Sequence, residues 1–269
     1  MEKTFRNYDQ SDIKAAVREH YCKMRQNQTL DYVHRMHKKY LNFDKPMPLW
    51  EAMEHLNNLI DVSDPDLDLP NVQHLIQSAE AIRQDDRPDW MQLTGLIHDL
   101  GKVMFLWGSD EDGTSQAEQW GMVGDVFVVG CALPDTCVYP EFNILNPDMA
   151  KPPYNTTLGI YEKGCGLDNL TLAWGHDEYL YRVLSNHTEN KLPEEAMTMI
   201  RYHSFYPWHT GGSYGELMNE KDLNYLETIH DFNRYDLYTK SNTIYDLEEI
   251  KDYYQPIAEK YLGKGPIYW

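Results

Sequence analysis

The sequence predicts a mainly α protein: a single helical domain with a small β-hairpin inserted among the helices. Three observations carry this expectation. Apolar residues recur at helical spacing through most of the 269 residues. Only one stretch, 121–166, departs from that rhythm, with a β-branched run followed by Pro, Gly and Asn. No linker-like tract separates two globular units, so residues 1–269 are expected to form one domain. A hydrophobic share of 42% is enough for one large core.

The elements follow in order. Residues 11–40 place Ile13, Val17, Tyr21 and Met24, then Leu30, Val33 and Met36, on a helical face. The same spacing runs through 49–60, and the acidic stretch 61–70, with two prolines, is a loop. Residues 71–84 are predicted as a helix capped by Asn71, with Val72, Leu75, Ile76, Ala79 and Ile82 on one side. Asp89 is the expected cap of a helix over 89–107 that holds Trp90, Leu93, Leu96, Ile97 and Leu100. The run GDVFVVGCAL opens the expected hairpin. Helices return at 175–186, 194–204, 221–240 and 246–262, the last kinked at Pro256.

Charge narrows the function. A net charge of -19 repels polyanions, so neither nucleic acid nor an anionic membrane is an expected partner. No window is apolar enough for a membrane span, and the first residues, MEKTFRNYDQSD, lack the apolar region of a signal peptide. Cys22, Cys131, Cys137 and Cys165 form no CxxC pair, which suits reduced thiols and a cytoplasmic location. No heptad stripe is present, and a monomer is expected.

The chemistry-bearing residues are His74, the dipeptide His98-Asp99, His176, His203 and Asp236. Four imidazoles and two carboxylates exceed what one catalytic metal requires and match two metals that share a carboxylate. On a helix, His98 and Asp99 lie about 100° apart and can face one cavity. Lys102, four residues after His98 and three after Asp99, shares their side. Each residue also has an ordinary explanation. His74 could be a hydrogen-bonded core histidine. His176 could be a turn residue at a helix start, where Asp177 and Glu178 favour the helix N-terminus. His203 could be a helix C-terminal cation, Asp99–Lys102 a salt pair at i,i+3, and Asp236–Lys240 a surface pair at i,i+4. His209, after Pro207 and Trp208, is a weaker candidate that would support a ligand and not bind metal itself. All these explanations would have to hold together by coincidence.

The order His, His-Asp, His, His, Asp resembles the HD-domain superfamily of helical metal-binding proteins. The flanking segments narrow the resemblance. FRNY, DVSDPDLDLPN, HLIQSAEAIR, GLIHDLGKV, VGDVFVVG, WGHDEYLY, IRYHSFYPWHT and FNRYDLYTK look like the myo-inositol oxygenase family, from about Phe5 to Trp269. That resemblance implies an HD-domain-like helical fold whose segment 1–45 covers the site and whose 121–166 stretch is an insertion. It implies two iron ions per chain, Fe(II) and Fe(III): one held by His74, His98, Asp99 and Asp236, the other by Asp99, His176 and His203. The implied substrates are myo-inositol and O2, and the product is D-glucuronate. Lys102 and Asp99 would act in catalysis. Substrate contacts would come from Arg6, Asp61, Ser63, Lys102, Gly124, Asp125, His203, Ser204 and Lys240. Val62 departs from the family pattern, where an acid is expected. The alternative from the wider superfamily is a metal-dependent phosphohydrolase of a nucleotide or phosphate ester, which should gather Arg and Lys around its site. A third reading is a metal-free HD domain that senses a metabolite, which should have lost a ligand; none is missing.

Overall fold

The computed structural model describes residues 14–63, 70–237 and 243–269. Arg6 and Lys240, both expected at the site, lie outside the described residues.

The predicted helical stretch 11–40 divides where Thr29 caps a new helix. This gives α1 (Lys14–Asn27) and α2 (Leu30–Tyr40), with the Thr29 side chain accepting from Tyr32 N. Between them Gln28 exchanges two hydrogen bonds with the Trp174 backbone, donating to its carbonyl at 2.6 Å and accepting from its N–H at 2.9 Å. The N-terminal helices are thereby pinned two residues ahead of His176. Then come α3 (Leu49–Leu56), α4 (Asn71–Gln84) and α5 (Asp89–Ile97). Prolines 70 and 88, not Asn71 and Asp89, occupy the cap positions. Their fixed φ starts each helix, which frees the two polar side chains. Asp89 uses its freedom to pair with Lys260 and Tyr261, and Asn71 reaches the site.

The helix expected over 89–107 ends at Ile97 and resumes from Leu100 to Leu106 as a tighter 3-10 turn. His98 and Asp99 sit at that junction. Later helices are α6 (His176–Asn186), α7 (Glu194–Tyr202), the single turn α8 (Tyr206–His209), α9 (Glu220–Asp236) and α10 (Leu247–Leu262), which runs through Pro256. α9 starts on a reciprocal cap between Asn219 and Asp222. α4 packs along α5, α9 lies against α4 and α7, and α6 joins α7 and the 3-10 turn. Leu75, Ile76, Ala79, Leu93, Leu96 and Ile97 fill the α4–α5 seam, and all are 1% exposed or less.

The mainly α expectation holds, but no hairpin forms within 121–166. The valines there take backbone partners from elsewhere. Val126 N donates to Ser204 O, Val129 N to Thr171 O, and Ala173 N to Phe127 O; Val128 makes an isolated bridge with Leu172. The second half of the stretch offers no apolar strand to pair with, so the β-rich run docks on 171–173 instead. The two-stranded sheet among the described residues lies elsewhere, pairing Pro46–Met47 (β1) with Ile267–Tyr268 (β2) antiparallel. Among the described residues no helix is long and apolar enough to cross a membrane.

The 3-10 turn meets α6 at Gly101. A Cβ there would overlap the His176 carbonyl oxygen. Only glycine lets the two backbones, and hence Asp99 and His176, come so close. Gly101→Ala should therefore lower the unfolding free energy by about 1–3 kcal/mol through overpacking and weaken metal retention. Urea denaturation of the metal-free protein checks this. A variant as stable as the wild type would show that the contact can open without cost.

Candidate metal centre

Five helices and the 3-10 turn deliver the six sequence-predicted ligands to one place. His74 comes from the first turn of α4. His98 caps the end of α5, Asp99 opens the 3-10 turn, His176 is the first residue of α6, His203 caps the end of α7, and Asp236 ends α9. His98, Asp99, His176, His203 and Asp236 are at most 4% exposed.

Backbone carbonyls orient three of the imidazoles. Nδ1 of His98 lies 2.9 Å from Gly95 O, Nδ1 of His176 2.7 Å from Met122 O, and Nδ1 of His203 3.1 Å from Ile200 O. A carbonyl can only accept, so each Nδ1 carries a proton and each Nε2 turns inward. The Nε2 atoms then meet in two pairs, His74 with His98 at 3.3 Å and His176 with His203 at 3.2 Å. Asp236 Oδ1 joins the first pair, 2.9 Å from His74 and 3.4 Å from His98. Asp99 Oδ1 joins the second, 2.8 Å from His176 and 3.3 Å from His203, and is 4.0 Å from His98 Nε2. Asp99 Oδ2 is 4.0 Å from His74 Nε2.

These distances fit metal. Ligand atoms that each lie about 2.0–2.2 Å from a shared ion stand near 3 Å from one another. Imidazole nitrogens and carboxylates gathered this closely in a dry pocket need positive charge among them, as protons or as a metal ion. Among the described residues, Asp236 Oδ2 and His74 Nδ1 are buried without a hydrogen-bond partner. His74, His98 and Asp236 form one group that could hold an ion, and His98, Asp99 and His203 form another.

The charges are strongly coupled. Burial alone would raise the Asp99 and Asp236 pKa values. Lys102, His98 and His176 outweigh it at Asp99, and His74 and His98 do so at Asp236, so both stay well below the usual carboxylate range. Burial pushes His98 down, against the pull of Asp99. Lys102 Nζ lies 2.7 Å from Asp99 Oδ2 and 2.8 Å from Asp61 Oδ2. Burial would lower its pKa, but the two carboxylates raise it. Asp61 also accepts from Ser63 N and Oγ at 2.8 and 2.7 Å. The side chains of Asp61 and His74 each keep 16% exposure, so the centre is most open on that edge.

Other expected residues are placed differently. Asp125 is sealed in an ion pair with Arg25, with Nη2 2.8 Å from each carboxylate oxygen, and accepts from Val138 N. Gly124 (φ 117°) packs against Met24 and His20. Ser204 receives Val126 N on its carbonyl. None of these three has a described contact with the six ligands. Val62 donates its backbone N–H to Gln119, and its side chain is 38% exposed. His209 supports the centre from behind: its Nε2 donates to the His203 carbonyl at 3.0 Å, and burial drives its pKa down to about 3.

Two residues escaped the sequence reading. Asn71 Nδ2 donates to Asp99 Oδ2 at 3.1 Å. Asp177 faces His203 Nδ1 at 3.1 Å and His176 Nδ1 at 3.4 Å. Asn71 resembled a cap, and Asp177 an ordinary first-turn acid. The repeat of a His-Asp dipeptide at 176–177 was the available signal.

A sequence model of the family described as Myo-inositol oxygenase matches residues 14–269. A rice protein (Oryza sativa subsp. japonica) named probable inositol oxygenase is 48% identical over 262 residues, covering 96% of this chain and 82% of that one. Inositol oxygenase of mouse (Mus musculus) is 44% identical over 269 residues, with 99% and 91% covered. That of zebrafish (Danio rerio) is 43% identical over 268 residues, with 98% and 93% covered.

His203 yields a pH prediction. Burial would lower its pKa, but Asp177 and Asp99 more than offset this and raise it from 6.5 to about 9. In the metal-free protein the stabilisation from this proton is complete below pH 6.5 and lost as pH rises through about 9. Nε2 binds metal only after losing that proton. Metal uptake near neutral pH should therefore release a proton, and affinity should rise with pH up to about 9. Calorimetric titration in buffers of different ionisation heat reads the release. Heats that do not depend on the buffer would refute it.

Proposed function

The chain belongs to the myo-inositol oxygenase family, and we propose that it opens the ring of myo-inositol with O2 to give D-glucuronate at a pair of iron ions. The observation that carries this reading is the meeting of two histidine pairs beside one carboxylate, Asp99, away from bulk water. His74, His98, Asp99 and Asp236 would hold one ion, and Asp99, His176 and His203 the other. Histidine and carboxylate donors suit iron. An Fe(II)/Fe(III) pair would supply redox chemistry toward O2 and acidify a bound hydroxyl.

The chain's own residues bind, orient and exclude water. A polyol hydroxyl both donates and accepts. Asp61, kept ionised by Lys102 against the effect of burial, accepts at the open edge of the centre. The ammonium of Lys102 donates from between Asp61 and Asp99 and stabilises negative charge that develops on a substrate oxygen. Asn71 and Lys102 together fix the Asp99 carboxylate, so its orientation does not depend on substrate. The names of the plant and animal relatives support an inositol as the substrate, and the family's description supports the myo isomer.

The reading predicts one O2 consumed per myo-inositol and an acid that retains all six carbons, with one oxygen atom from O2 in the new carboxylate. Mass spectrometry after turnover under ¹⁸O2 measures this. Equal turnover without O2, or a carboxylate free of label, would sink the oxygenase reading. Phosphate-ester hydrolysis with Mg²⁺ or Mn²⁺ in place of iron would install the phosphohydrolase reading instead.

Lys102→Ala should keep the fold and the metal but lose turnover on the order of 10²-fold. Near-normal kinetics would make Lys102 a structural partner of Asp61 and Asp99 only.

A further inference from the structure

The second His-Asp dipeptide sets the two halves of the centre apart. Asp177 is 1% exposed, and its carboxylate oxygens make no hydrogen bond among the described residues. A buried carboxylate in that state is costly unless positive charge lies nearby. The neighbouring buried acids are all served. Glu178 is held by Arg201 and Arg182, Asp99 by Lys102 and Asn71, and Asp236 by His74. Asp177 faces only the outer edges of two imidazoles, His203 Nδ1 at 3.1 Å and His176 Nδ1 at 3.4 Å. Its place in the first turn of α6 gives partial relief from the helix dipole. Glu178, next to it, has the same dipole and still takes two arginines.

The halves differ in negative charge. The His74/His98 half has Asp236 to itself beside the shared Asp99. The His176/His203 half has only its share of Asp99. We propose that Asp177 is the positioning residue that supplies the missing negative charge to the His176/His203 half, acting through both imidazoles, and so secures the second ion. A carboxylate beside a ligand histidine raises the basicity of the coordinating nitrogen and restrains the ring. Here one carboxylate serves two rings of the same half. Among the described residues His98 and His74 have no such carboxylate at Nδ1: His98 Nδ1 faces Gly95 O, and His74 Nδ1 has no hydrogen-bond partner.

The inference rests on the two-ion reading, and the test separates the two. Full-length wild type and Asp177→Asn are titrated anaerobically with Co(II), without substrate or O2, and both dissociation constants are read from the visible bands. The wild type should take up two ions. Asp177→Asn should bind the first with unchanged affinity and the second about 10–100-fold more weakly. Asp236→Asn should show the mirror pattern, with the His74/His98 ion weakened. Unchanged affinity for both ions in Asp177→Asn overturns the proposal. So does equal weakening of both, which would place Asp177 in the general scaffold. A wild type that takes up a single ion defeats the two-ion reading itself, whatever the variants do.

Discussion

Everything in this structure is arranged around a surplus of buried negative charge at one carboxylate, Asp99. It stands between two pairs of inward-facing imidazole nitrogens, with Asp236 on one side and Asp177 behind the other. Among the described residues Lys102 touches it at 2.7 Å, and in the metal-free protein His203, its pKa raised to about 9, adds a second positive charge 3.3 Å away. Opposite charges 3–4 Å apart in a dry interior interact by several kcal/mol, so the helices cannot settle as if this region were inert core. Positive charge placed among these groups would relieve that surplus, and metal ions are suited to supply it.

Helix ends supply the geometry. The last carbonyls of a helix lack intrahelical partners and need donors. At the ends of α5 and α7 those carbonyls, Gly95 O and Ile200 O, receive Nδ1–H from His98 and His203. One contact thus satisfies an orphan acceptor, fixes a tautomer and aims Nε2 inward. His176 obtains the same result from Met122 O, which accepts both its backbone N–H and its Nδ1–H. The 121–166 segment therefore orients a ligand without forming a strand pair of its own. Gln28, bonded to the Trp174 backbone, holds the same corner from the N-terminal side.

The His and Asp cluster was legible in the sequence because it depends on residue type. Few side chains bind metal, and histidine is uncommon enough for its order along the chain to carry information. The helices were legible for a similar reason, since burying one face imposes a period. What stayed hidden depended on partners. Leu100, Val103 and Met104 continue the apolar rhythm through the 3-10 turn, so the break at His98-Asp99 left no trace in the periodicity. The valines of 126–129 signalled extended backbone but not that Thr171 and Ser204 would complete it. Asn71 and Asp177 belong to residue types common in first turns, and local preference concealed contacts made across the fold. Asp125 was expected at the substrate, yet Arg25, from a helix 100 residues earlier, takes both its oxygens.

The same charge surplus bears on which substrate the centre suits. The net charge of -19 is spread over the whole chain and is screened beyond about 8 Å at physiological salt. It therefore acts on encounter and has little effect inside the pocket. The local carboxylates act there, and two bound cations would largely balance them. On the proposed reading a neutral polyol would then meet little net field on entry and would be selected by hydrogen-bond geometry at Asp61, Ser63 and Lys102. A phosphate ester would bring further negative charge toward acids whose lysine, Lys102, already bridges Asp61 and Asp99. Binding it would require Lys102 to leave one of those carboxylates uncompensated in the interior, a larger loss than a single new contact returns. The electrostatics that make the pocket a good metal trap thus favour an uncharged, hydroxyl-rich substrate.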